Sequence, residues 1–147
     1  MRKSPGFTLL EIVVVLLVLG IVSAVVITRY VSANIDARNA AMIGRIKAHL
    51  RYARNASMNS ETAWWIDFNA GSYVLNKRAP DGTNIIAVFP GEDGTAVNFP
   101  GGFTGPDINV LFDGWGRPVD GTGTPTGVLN LAFTSDTVTI RSTGYIP

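Results

Sequence analysis

The chain has 147 residues and 15.7 kDa, 46% of them hydrophobic, with 12 basic against 11 acidic side chains. That composition excludes a wholly disordered chain and allows one compact domain, or a smaller one carrying an anchoring segment. There is no cysteine, so disulfides and thiolate chemistry fall away, and the single histidine, His49, leaves little room for a His-rich metal site or a triad.

The two parts of the chain differ in kind. Residues 1–54 hold eight basic side chains against Glu11 and Asp36, a net of +6, whereas residues 55–147 hold four against nine acids, a net of −5. Gly6, Gly20, Gly44 and Pro5 are the only glycines and proline of the first 54 residues, against thirteen glycines and seven prolines afterwards. A helix-permissive first third therefore precedes a turn-rich, strand-rich remainder.

In chain order, the first element is the apolar run 7–27, 21 residues long. At ~1.5 Å per residue it reaches about 30 Å as a helix, enough to cross a bilayer core. In lipid it must be helical despite its valines, because no water is present to satisfy its backbone. A secretory signal peptide, cut after Val22-Ser23-Ala24, and a plain membrane anchor both match the run. Neither accounts for Glu11: a carboxylate in an apolar span costs roughly 2.5–3.5 kcal/mol and is usually functional, the alternative being that Glu11 lies near enough to the membrane surface to stay wet.

The string Gly6-Phe7-Thr8-Leu9-Leu10-Glu11, behind a leader with Arg2 and Lys3 and ahead of the unbroken apolar stretch 12–27, resembles the class III signal of type IV pilins and type II secretion pseudopilins. The resemblance implies cleavage between Gly6 and Phe7 by a prepilin peptidase on the cytoplasmic side, N-methylation of Phe7, and retention of the helix. It further implies that Glu11 is the assembly residue, pairing with the N-terminal amine of a neighbouring subunit, so that each buried charge is compensated. The leader then sets a cytoplasmic N-terminus and a periplasmic head, although Arg29, Arg38 and Arg45 lie on the far side of the run. The family often has proline where this chain has Thr28, and without it a straight helix is expected.

The helix is expected to continue to residue 58, because no proline intervenes until Pro80. Met42, Ile43, Ile46, Leu50 and Ala53 recur at three- and four-residue steps, one apolar stripe on a helical period. Arg38, Arg45, Lys47, Arg51 and Arg54 fall mostly on other faces, as a solvated basic side or as a contact surface for the acidic head of a neighbour. His49 is read as a boundary residue beside the stripe, not a ligand.

Six to seven short antiparallel strands follow, at 62–68, 72–76, 85–89, 95–99, 108–112, 128–133 and 137–140, in one or two sheets packed on the stripe. The fold class is therefore α+β: a long N-terminal helix, membrane-spanning then amphipathic, packed on an antiparallel β-rich head. The expected divisions are a leader at 1–6, a hydrophobic helix at 7–28, an amphipathic helix at 29–59 and the head at 60–147.

Phe112-Asp113-Gly114-Trp115-Gly116-Arg117-Pro118, taken with the late Thr143-Gly144 ending, is similar to the head of H-type minor pseudopilins and related minor pilins. That resemblance implies a minor subunit of a secretion pseudopilus or related pilus, supporting protein secretion. Its partners would be other pilin-like subunits, the prepilin peptidase and an inner-membrane assembly platform. Asp107, Asp113 and Asp120 offer the hard oxygens Ca²⁺ prefers, but aspartate before glycine is first of all turn chemistry. No metal, cofactor or catalytic residue is assigned. Gly121-Thr122-Gly123 lacks the lysine and following helix of a phosphate loop. The alternatives are a membrane-tethered binding domain and a DNA-binding minor pilin. For the latter, residues 83–147 supply only Arg117 and Arg141 against six acids, a weak phosphate footprint.

Overall fold

The computed structural model describes residue 6, residues 8–60 and residues 62–147, with residue 28 in backbone alone. The chain divides into two compact units, Met1–Ala37 and Arg38–Pro147, and one helix, α1 (Leu9–Asn59), runs through both. The architecture is α+β, with every strand pairing antiparallel.

In the first unit the helix is unbroken through Gly20 and residue 28. Ser23 satisfies its hydroxyl within the helix by donating to the Leu19 carbonyl at 2.7 Å. Every leucine, isoleucine and valine between Leu9 and Ile27 is 50–82% exposed. A helix apolar on all sides is stable only when something apolar surrounds it.

The second unit is built on the amphipathic part of α1. Met42, Ile43, Ile46, Leu50 and Ala53 are all buried, as their spacing predicts. They pack in one core with side chains from seven of the eight strands, β1 (Trp64–Phe68), β2 (Ser72–Arg78), β3 (Asn84–Ala87), β4 (Ala96–Asn98), β5 (Ile108–Phe112), β7 (Leu129–Ala132) and β8 (Thr137–Ile140), while β6 (Pro118–Val119) lies outside that cluster. Alternation fixes which face does this: Ile66 and Phe68 of β1 and Tyr73 and Leu75 of β2 are fully buried, while Trp65 and Asp67 point to the other face. The sheet order is β3-β2-β1-β5-β6, with β4 also pairing β2, and β7-β8 forms a separate hairpin.

One strand lay outside the sequence reading. β6 is two residues long and opens on Pro118, whose missing N–H confines it to a sheet edge beside Leu111 and Phe112. The hairpin loop at Asn69 is as expected. Its side-chain Oδ1 accepts the N–H groups of Gly71 and Ser72 at 2.9 and 2.8 Å, which pins the β1–β2 register.

Four loops share one geometry. In residues 79–83, 113–117, 120–124 and 141–145 the first residue's N–H donates to the carbonyl of the fifth, and the fourth, a glycine, donates to the carbonyl of the first. The glycines Gly82, Gly116, Gly123 and Gly144 all have φ between 74 and 86°, the left-handed residue of a three-residue hairpin loop. Two of these loops meet. A Cβ on Gly144 would lie 1.6 Å from the Gly116 carbonyl oxygen, so backbone touches backbone there. Arg54 bridges them, donating from Nε to the Gly116 carbonyl at 3.0 Å and from its terminal nitrogen to that of Thr143 at 3.4 Å. Arg51 likewise donates to the Ile146 carbonyl at 2.8 Å.

The basic side of α1 is thus not simply a solvated face: Arg51 and Arg54 hold carbonyls of their own chain, and Arg45 pairs with Glu92 through Nε–Oε1 at 2.7 Å and a second contact. A turn at Phe89-Pro90-Gly91-Glu92, with Gly91 at φ 82° and the Glu92 N–H on the Phe89 carbonyl, delivers that carboxylate. His49 is corrected from boundary to interior. It is 8% exposed, stacked on Phe89 at 4.0 Å, hydrogen-bonded through Nδ1 to the Tyr73 hydroxyl at 2.8 Å, and 3.6 Å from Glu92. Burial lowers its pKa below the ordinary 6.5, outweighing the attraction of Glu92, and the Arg45 charge lowers it further. Burial raises the Tyr73 hydroxyl well above its usual value.

Gly144→Ala is expected to destabilise the fold by about 2 kcal/mol or more, from a strained φ plus a backbone clash that no rotamer relieves. Gly116→Ala carries a similar φ strain but meets side-chain atoms of Met58 and Arg54 rather than backbone, and costs less. Gly114→Ala, with nothing within 4 Å, leaves the melting temperature unchanged. Denaturation of the three variants orders them.

Because the folded protein disfavours protonated His49, its contribution is complete above pH 6.5 and is lost as the pH falls below it. Glu92, lowered chiefly by its hydrogen bond to Arg45, loses its contribution only below its ordinary 4.5. Melting temperature is therefore expected to fall as the pH drops below 6.5, before Glu92 titrates, and His49→Gln, which keeps a partner for Tyr73 without titrating, flattens that fall.

Candidate functional site

The first turn of α1 is built by Thr8. Its backbone carbonyl accepts the N–H groups of Glu11 and Ile12 at 3.1 and 3.3 Å, and its Oγ1 also accepts from Glu11 N at 3.3 Å. Thr8 is an N-cap, and Thr8-Leu9-Leu10-Glu11 has the Thr-x-x-Glu spacing of a capping box. The sequence reading passed over Thr8, although that spacing was there to find it. The cap places Glu11 as the acidic residue of the first turn, where the positive end of the helix dipole favours a carboxylate by about 0.3–1 kcal/mol.

Gly6 precedes the helix and is exposed, and a Cβ built on it meets nothing within 4 Å. Nothing in the described fold demands glycine at that position. Phe7 and leader residues 1–5, Arg2 and Lys3 among them, lie outside the described residues. Behind Glu11, α1 carries a stretch long and apolar enough to cross a membrane, with none of it buried by the chain itself.

The aspartates considered for Ca²⁺ have other employment. Asp113 Oδ1 accepts the N–H groups of Trp115 and Arg117 at 3.0 and 2.8 Å, and Oδ2 accepts Arg117 Nε at 2.8 Å. Partial burial pushes this carboxyl up, but the bonds from Arg117 and Trp115 outweigh it and hold the pKa low. Asp120 Oδ1 accepts the Thr122 hydroxyl and the N–H groups of Thr122 and Thr124 at 2.6–2.9 Å, which lower its pKa in the same way. Asp107 is exposed, and among the described residues no three carboxylate or histidine side chains gather into a ligand set. Asp113-Gly-Trp-Gly-Arg-Pro118 and Asp120-Gly-Thr-Gly-Thr-Pro125 are two copies of one turn. The late cations are also engaged, Arg117 with Asp113 and Arg141 over the Tyr145 ring at 5.8 Å.

The family model described as the prokaryotic N-terminal methylation motif matches residues 1–27. No curated protein and no solved structure matches the chain. The matched motif covers Gly6, the Thr8 cap, Glu11 and the apolar run to Ile27, and together with the α+β layout it supports a type IV pilin-like protein carrying a prepilin signal on a membrane-anchoring helix.

Proposed function

We propose that this chain is a structural subunit, and a minor one, of a type II secretion pseudopilus or related type IV pilus. The observation that carries the reading is a capped apolar helix that its own chain leaves uncovered, opening on Glu11 within the methylation motif. Cleavage falls between Gly6 and Phe7, Phe7 becomes the methylated first residue, and Glu11 is the assembly residue. Residues 1–6 are the leader, 7–28 the membrane and filament helix, 29–59 its amphipathic continuation and 60–147 the periplasmic head. Before assembly the chain is a single-pass inner-membrane protein with a cytoplasmic N-terminus. Its partners are prepilin peptidase, other pilin-like subunits and an inner-membrane assembly platform.

Support for the minor type comes from the meeting of the 113–117 loop with Gly144, the two segments that carry the resemblance to H-type pseudopilins. A DNA-binding role is less favoured, because Arg117 is already ion-paired and Arg141 lies over an aromatic ring.

Coexpression with a prepilin peptidase is expected to shorten the chain by six residues, from the Gly6–Phe7 boundary, and to leave an N-methylated phenylalanine by mass analysis. Cleavage after Ala24, or none, refutes the reading. Glu11→Ala and Glu11→Gln are expected to remain processed and inserted, since removing a charge eases insertion. Both then fail to crosslink to partner subunits, because a neighbour's amine loses its counter-charge in a low-dielectric core. Glu11→Asp is intermediate, keeping the charge on a shorter side chain. Wild-type crosslinking by processed Glu11→Ala refutes the pairing alone.

A further inference from the structure

The face of the six-stranded sheet turned away from α1 is not flat. Ile86, Asn76, Trp65, Leu111 and Val119 lie in one cross-strand row by register. Part of that row, Trp65, Leu111 and Val119, together with Arg78 and Asn84 at the base of the β2–β3 loop and residues 120–123 of the loop after β6, lines an open cleft of about 520 Å³. That lies within the ~300–1,000 Å³ of small-molecule sites.

The lining has a definite chemistry. Half-buried Trp65 and Leu111 supply the apolar part. Exposed Arg78, Asn84 and Asn109 supply the polar part, and among the described residues none of the three has a side-chain partner. Those uncommitted groups bring both donors and acceptors to one mouth. The charges balance: Asp113 is ion-paired with Arg117, and Arg78 and Asp120 contribute one cation and one anion to the lining. The 120–124 loop is held by three hydrogen bonds to Asp120 Oδ1, so the wall is preformed.

We propose that this cleft binds a neutral saccharide, with the Trp65 indole against the C–H face of a sugar ring and Arg78, Asn84 and Asn109 meeting its hydroxyls. An indole beside planar amides and a guanidinium suits a ligand that is apolar on its ring face and polar at its edge. The balance of charge disfavours uronic acids and amino sugars equally. An extended peptide fits worse, because β1 is paired along both edges by β2 and β5. That leaves no backbone groups on this face for strand addition.

The test uses the full chain in a zwitterionic micelle, since alkyl-glycoside detergents would themselves compete. Maltose, cellobiose, lactose and N,N′-diacetylchitobiose are titrated while the Trp65 indole N–H resonance is followed, identified by its loss in Trp65→Phe. Saturable shifts of that resonance by at least one sugar are expected. Trp65→Ala weakens that sugar about tenfold or more. Asn84→Ala and Asn109→Ala, exposed changes that leave the melting temperature intact, weaken it several-fold. No saturable shift with any of the four sugars overturns the proposal. So does affinity unchanged in both asparagine variants, tighter binding of glucuronate or glucosamine than of the neutral sugars, or displacement of the sugar by an unfolded apolar peptide.

Discussion

Fifteen leucine, isoleucine and valine side chains between Leu9 and Ile27 are at least half exposed on a helix the chain itself does not cover. At about 1.5–3 kcal/mol for each such side chain removed from water, the unmet burial is of the order of tens of kcal/mol. That quantity dominates every other term in the first unit. The roughly 2.5–3.5 kcal/mol cost of placing Glu11 in an apolar span is an order of magnitude smaller, so insertion tolerates the carboxylate easily. On the proposed reading, a charge that cheap to carry into lipid would be kept for the next step, when lipid is exchanged for neighbouring helices.

The second unit solves the opposite problem: about half of it is loop, joining short strands. A core of helix stripe, sheet and hairpin covers only part of its chain, and the rest is held by arginines of α1 that reach out to backbone carbonyls. Arg51 takes Ile146, and Arg54 takes Gly116 and Thr143. A guanidinium suits this work because its donors fan out in a plane and stay charged at every physiological pH. Part of the charge split along the chain is thereby spent internally. Arg45 with Glu92 joins helix to head directly, while Arg51 and Arg54 satisfy carbonyls that would otherwise have to find water. What remains for neighbours is a smaller asymmetry than a net of +6 against −5 suggests.

Periodicity made most of this legible. The stripe of Met42, Ile43, Ile46, Leu50 and Ala53 and seven of the eight strands follow from apolar spacing, because burial enforces it. What escaped is what spacing does not encode. β6 is too short for a period, and Pro118 argues against a strand unless an edge is already known. His49 reads as polar, yet Phe89 arrives from forty residues downstream to cover it. The repeated Asp-Gly-x-Gly-x-Pro string was visible as turns, but that Gly116 and Gly144 would touch is a fact of three dimensions. At the N-terminus, Glu11 drew notice for its cost, and Thr8, three residues before it, did not.

Thr8 changes how Glu11 should be understood. A helix entering lipid carries unpaired N–H groups in its first turn, and these together make a partial positive charge. Thr8 Oγ1 shares in satisfying one of them. Processing at Gly6–Phe7 would then bring a second positive charge, a free amine, to the same end. Both would be unfavourable together without a nearby anion, and Glu11 is the acid of that turn. On this argument the carboxylate compensates its own helix end in the single subunit and can serve a neighbour's amine only by leaving that role. Under the proposed pairing, assembly would exchange one compensated pair for another across subunits, so its driving force would come from burying the apolar run and the charge would set the register.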